Sequence, residues 1–158
     1  MEEKKFYITK EKLKEIKREH DELVAFEHNK ITGQEAPKIL QSEDVNPEFI
    51  SFQEDVESLR AKIDHLKSII DNHEIIKAPP KENHSFVSIG ARVILAHHGK
   101  DDEFTIVGTL EANPDAGKIS NESPVGMALL GKKIGDEVHI VSPHNRKYKI
   151  KDIKYEIN

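Results

Sequence analysis

The most regular feature of the chain is an apolar stripe at Phe49, Phe52, Val56, Leu59, Ile63, Leu66 and Ile70, spaced alternately three and four residues apart. That spacing is a heptad seam and predicts a helix over residues 49–75, about 40 Å long at the usual helical rise. An earlier stripe at Leu13, Ile16, His20 and Leu23 has the same step. It predicts a first helix from residue 10, with Thr9 as its N-cap and Glu11 in the first turn, where the helix dipole favours an acid. His20 reads as a seam residue and not as a ligand. Beyond Phe26 the pattern blurs, and Thr32-Gly33 and Ala36-Pro37 each give the helix a reason to kink or stop. Residues 41–48 are polar, acidic and contain Pro47. Two arms of similar length joined by one short turn form an antiparallel hairpin, with 41–48 at its far end.

The periodicity changes after residue 78. Pro79-Pro80 cannot continue a helix and the polar residues after them have nothing to bury, so 79–85 reads as a linker. Beyond it, alternation predicts strands over 87–95 (interrupted at Gly90), 104–110, 136–141 and 148–157. Between them, Ser123 is placed to cap a short helix that Pro124 starts and Gly131 stops. The fold class is therefore α+β. A helical hairpin (1–78) and a linker (79–85) precede a domain at 86–158 made of an antiparallel sheet with a short helix.

Composition narrows the function classes. Residues 1–78 carry 18 acidic and 13 basic side chains, and residues 79–158 carry 11 of each, giving a net charge of −5. No basic face of the kind duplex DNA requires is visible, so contact with nucleic acid would depend on a partner. The absence of cysteine excludes disulfides and thiolate metal sites. No apolar run is long enough for a signal peptide or membrane span, so a cytoplasmic protein is expected. His97-His98 does not make a metal site, because neighbours on a strand face opposite ways and no third ligand is spaced near them.

The segment from residue 106 onward resembles a known family. Ile106-Val107-Gly108, Glu111-Ala112, Gly117-Lys118-Ile119-Ser120, Ser123-Pro124, Ala128-Leu129-Leu130-Gly131-Lys132 and Gly135-Asp136 occur in the order found in the C-terminal domain of the bacterial Gre (GreA/GreB) transcript cleavage factors. The resemblance implies an FKBP-like C-terminal domain that docks on RNA polymerase. It also implies a coiled-coil hairpin whose tip enters the secondary channel and stimulates cleavage of backtracked RNA, the polymerase remaining the enzyme. The partners implied are the polymerase, the nascent RNA 3′ end reached through it, and DNA only within the elongation complex. The factor is expected to be a monomer with no cofactor of its own.

Carried over residue by residue, the resemblance places polymerase docking at Ile119, Ser120, Asn121, Glu122, Ser123, Pro124 and Val125. At the tip, Asn46, Glu48 and Phe49 match the family's Asn, Glu and Tyr. The family's two acids, which help the polymerase hold a Mg²⁺ ion, align with Ser42 and Val45. Glu43 and Asp44 lie between these positions and are the candidate assisting acids and Mg²⁺ ligands. Beyond the tip, Gln53, Glu54 and Asp55 stand where the family commonly has basic residues, with Lys30 and Lys38 as possible substitutes on the first arm. Two other readings stay open at this stage. One is a Gre-like factor that occupies the channel and inhibits. The other is a prolyl isomerase, against which the sparse aromatics of the second half (Phe86, Phe104, Tyr148, Tyr155) count.

Overall fold

The computed structural model describes residues 3–33, 47–141 and 145–157. The chain forms two units, Glu11–Asn72 and the combination of Met1–Lys10 with His73–Asn158. The residues before the first helix and after the second thus belong with the sheet.

The helical unit is built from α1 (Lys10–Thr32) and α2 (Pro47–Asp71). On α2 the predicted stripe is the covered one as far as Leu66: Val56, Leu59 and Ile63 are buried, and Phe49, Phe52 and Leu66 are half-buried, but at its end Ile69 is buried while the predicted Ile70 is only half-buried. On α1 the stripe runs through Leu13, Ile16, His20 and Leu23 and continues at the same spacing through half-buried Glu27 and Lys30. The seam therefore turns ionic toward the tip. Arg60 Nε donates to Glu27 Oε1 at 2.9 Å. Lys30 Nζ lies 3.6 Å from Asp55 and 5.7 Å from the centre of the Phe52 ring. As position rises from 27 to 30 on one helix, its partner falls from 60 to 55 on the other, so the helices run antiparallel. Phe26, pointing away from this stripe, is 58% exposed.

The second helix ends four residues earlier than its apolar periodicity predicts. Asn72 stops it by donating to Ser68 O from both its backbone N (3.1 Å) and its side-chain amide (3.0 Å). The next residues form β2 (His73–Ile75), which pairs in parallel with β1 (Phe6–Ile8), Ile8 opposite Ile75. Ile76 N then donates to Ile8 O at 2.9 Å, and both isoleucines are fully covered. Ile75 and Ile76 suit a helix face and a strand equally well, and the tertiary pairing decides between them.

The main sheet contains β3 (Arg92–His97), β4 (Lys100–Val107), β5 (Lys118–Ser120), β6 (Glu137–Ile140) and β7 (Arg146–Lys154), in the order β5-β4-β3-β7-β6. Three ladders are antiparallel as predicted, but β5 runs parallel to β4, so the sheet is mixed. The crossover that makes this possible consists of two 3-10 turns, Thr109–Glu111 and Pro114–Ala116, the second ended by Gly117 at a φ of 74°. Val93, Leu95, Ile106, Val138 and Ile150 form the core of one sheet face. The helix α3 (Pro124–Leu129) adds Leu129, which is fully buried.

The residues expected as a free linker are tied down. Lys81–Asn83 form a 3-10 turn, and His84 Nε2 is 2.8 Å from Pro79 O with its ring against Tyr155. Tyr155 Oη in turn donates to Phe86 O and accepts from Ser88 N at 2.9 Å.

Candidate functional site at residues 119 to 125

The predicted docking segment is a bend between β5 and α3. Ile119 points inward and is 8% exposed, so it anchors the segment in the core. Glu122 and Pro124 are exposed, and Ser120, Asn121, Ser123 and Val125 are half-buried. An anchored segment with an exposed edge can meet a partner with little loss of conformational entropy.

Backbone and hydroxyl hydrogen bonds fix the bend. Asn121 N donates to Val107 O at 2.9 Å, which carries the chain off the end of β5. Ser123 caps α3 as the sequence predicts: its Oγ accepts from Gly126 N at 3.0 Å. The same hydroxyl donates to Ser120 O at 2.7 Å, and Ser123 N donates there too at 3.0 Å. Ser120 O therefore receives two bonds from one residue and forms the floor of the bend. Gly126 rests on that floor so closely that a β-carbon would lie 2.1 Å from Ser120 O.

A relay of hydroxyls holds the exposed acid. Thr109 Oγ1 donates to Glu122 Oε2 at 2.9 Å, so the 2.9 Å bond between Thr109 and Ser120 uses the serine proton. Ser120 Oγ accepts from Glu122 N at 3.1 Å. Lys4 Nζ lies 3.6 Å from the same carboxylate. Thr109 and Lys4 are supports that sequence reasoning missed. Only the crossover brings residue 109 to 122, and no local pattern announces it.

A second fastening lies nearby. Glu111 accepts from Thr9 N at 2.9 Å and from Thr9 Oγ1 at 2.6 Å. Next to it Gly108 passes under the first strand, where a β-carbon would lie 1.8 Å from Tyr7 O. The Gly108 and Glu111 positions quoted for the family resemblance thus each meet a backbone atom of the N-terminal segment.

At the hairpin tip, Glu48 lies in the first turn of α2 behind Pro47, where its charge suits the helix dipole. Phe49 is half-buried at the end of the seam. Glu43, Asp44 and Asn46, together with Ser42 and Val45, lie outside the described residues, as does Lys38. Lys30 lies beside Asp55 and the Phe52 ring. Among the described residues no group of three or more His, Cys, Asp or Glu side chains could hold a metal ion. None of their helices is long and apolar enough to cross a membrane.

Comparison with known proteins bears on the family. The family model described as "Transcription elongation factor, GreA/GreB, C-term" matches residues 82–155. The chain is 36% identical over 157 residues to a transcription elongation factor GreA of Clostridium acetobutylicum, covering 96% of this chain and 98% of that protein. It is 34% identical to one of Thermomicrobium roseum, covering 87% and 88%. Among solved structures, the GreA factor homolog 1 (Gfh1) of Thermus thermophilus is 22% identical and aligns over 96% of this chain and 99% of that one, with a TM-score of 0.43. An identity above a third along nearly the whole length places the chain in the GreA/GreB family of transcription elongation factors.

Proposed function

We propose that the protein binds RNA polymerase through the exposed edge at 119–125, inserts its hairpin tip into the secondary channel and stimulates cleavage of backtracked RNA. The observation that carries this is the near full-length kinship with proteins named transcription elongation factor GreA. The hydrogen-bonded bend at Ser120 and Ser123 supports the docking part, because it presents Glu122 and Pro124 from a fixed base. The protein is not itself an enzyme. It meets the nascent RNA 3′ end and the DNA only within the elongation complex, and it acts as a cytoplasmic monomer.

Glu43 and Asp44 are the assisting acids. Their carboxylates are hard oxygen donors of the type that suits Mg²⁺, which when bound activates a water and neutralises developing charge in phosphoryl chemistry. Asn46, Glu48 and Phe49 are their supporting residues.

The test is a backtracked elongation complex incubated with and without the protein. The expected result is shortening of the RNA from its 3′ end, lost in Asp44→Asn and Glu43→Gln while polymerase binding persists. Full cleavage by the double variant would overturn the assignment of these acids. A second reading rests on Ser42 and Val45 standing where the family pattern has acids. On that reading the protein occupies the channel and inhibits, and the unaltered chain produces no shortening at saturating Mg²⁺.

A further inference from the structure

The first helix begins against a carboxylate that lies far away in sequence. Thr9 stands immediately before α1, so Lys12 is the third residue of that helix. In a capping box the third residue is Glu or Gln, whose side chain reaches back to accept from the backbone N–H of the cap. Lys12 carries donors and no acceptor, so it does not suit that role. Its ammonium donates to Glu15 at 2.8 Å. Glu111 fills the role from 102 residues away: its Oε2 accepts from Thr9 N at 2.9 Å and its Oε1 accepts from Thr9 Oγ1 at 2.6 Å. Each carboxylate oxygen thus takes one bond from the same residue, and both residues are half-buried.

Both sides of this contact are anchored. On one side Ile8 is fully buried, pairs with Ile75 in the β1–β2 ladder and accepts from Ile76 N. On the other side Glu111 closes a 3-10 turn in which its own N–H donates to Gly108 O at 3.0 Å. Gly108 lies so close to Tyr7 O that a β-carbon there would push the turn away. Thr9, Lys10 and Glu111 all belong to the unit that carries the sheet. The start of α1 is therefore held by a side chain of that unit, which supplies the acceptor that the helix's third residue lacks.

We infer that Glu111 is a positioning residue for α1: it completes the capping box from outside the helix and thereby fixes the residue at which α1 starts. The consequence for activity rests on the transcript-cleavage reading proposed above. Without the cap the first turn can unwind, and each residue lost shortens the helix by about 1.5 Å and removes about 100° of turn. Phosphoryl chemistry at the tip is sensitive to displacements of this size, since about 1 Å of misplacement can cost about a hundredfold in rate. Glu111 meets no reacting atom in this scheme and acts through α1 alone.

The test compares the full chain with Glu111→Ala, Glu111→Gln, and Glu111→Ala combined with Lys12→Gln. Hydrogen exchange of the Thr9 amide is followed by NMR. A backtracked elongation complex gives the maximal cleavage rate and the half-saturating concentration of the factor. Glu111→Ala should speed Thr9 exchange about tenfold or more, because that amide loses a charge-assisted bond. It should lower the maximal rate about tenfold or more and leave half-saturation within about twofold of the unaltered chain. Glu111→Gln keeps an acceptor for Thr9 N and a donor for Thr9 Oγ1, and should recover most of both. Lys12→Gln rebuilds the box within the helix and should restore both in the absence of Glu111, a comparison that holds even where Glu111→Ala alone is unfolded. Unchanged Thr9 exchange or an unchanged maximal rate in Glu111→Ala would overturn the inference, as would a Lys12→Gln that restores neither. A loss confined to half-saturation would overturn it too, by making Glu111 a docking residue. If the unaltered chain cleaves nothing, the cleavage reading fails by itself, and Thr9 exchange alone decides whether Glu111 caps α1.

Discussion

Gly126→Ala tests whether the bend at 119–125, the proposed docking segment, is as tightly built as its distances say. The new β-carbon would lie 2.1 Å from Ser120 O, 3.0 Å from Ser120 C and 3.2 Å from Asn121 Cα. An ordinary carbon–oxygen approach is no closer than about 3.3 Å, so helix and bend must separate by about 1.2 Å. The atoms that would have to move are backbone, and Ser120 O is held by two bonds from Ser123. Overpacking of this kind costs about 1–3 kcal/mol. Alanine's better helix propensity returns about 0.5–1 kcal/mol at most. The net destabilisation is about 1–2 kcal/mol, which for a unit of roughly this size lowers Tm by about 5–15 °C. Thermal unfolding followed by circular dichroism reads that shift, and a competition assay for polymerase reads the displaced edge. An unchanged or raised Tm would refute the reasoning, since it would mean that the bend yields without cost.

Ser123→Ala removes the cap of α3 and one of the two bonds to Ser120 O, and should cost about 1 kcal/mol in urea unfolding. Ile63→Ala, at a seam position only 9% exposed, should cost about 2–5 kcal/mol and lower the unfolding midpoint followed by the helical circular-dichroism signal. Lys12 beside Glu15 holds that carboxyl below the ordinary glutamate range, first by a 2.8 Å hydrogen bond and then by its charge. A depressed carboxyl pKa stabilises the fold above the unfolded-state value, and the contribution is lost as pH falls through the folded-state value. Lys12→Met should therefore raise the Glu15 titration midpoint seen by NMR.

What the sequence made legible was what repeats locally. The stripe from Phe49 to Leu66 needed only its own spacing, and the capped helix at Ser123 needed only neighbours within three residues. Pairings between distant residues were not legible. Phe6 with His73, Thr9 with Glu111 and Thr109 with Glu122 have no local sign, because each is fixed by topology. The parallel pairing of β5 depends on a crossover whose 3-10 turns look like loop in the sequence. The blur after Phe26 was a real change in chemistry, since an ionic stretch at Glu27 and Lys30 keeps the heptad spacing but hides it from a search for apolar residues. At the docking segment the residue types pointed to the cap, and the buried position of Ile119 came only with the packing.

The pairing of β1 with β2 also has a consequence for the order of events on the ribosome. Phe6–Ile8 leaves the exit tunnel well before its partner His73–Ile75 has been made. At about 5–20 residues per second, the first strand waits for several seconds. During that interval Ile8 has no Ile76 to lie against, and Tyr7 has no Gly108 beneath it. The helical segment can form from its own residues meanwhile, but the sheet unit can close only after nearly the whole chain has emerged. Its two N-terminal and C-terminal portions therefore fold late and together, and a ribosome stalled before residue 108 would display an N-terminal strand still open to protease.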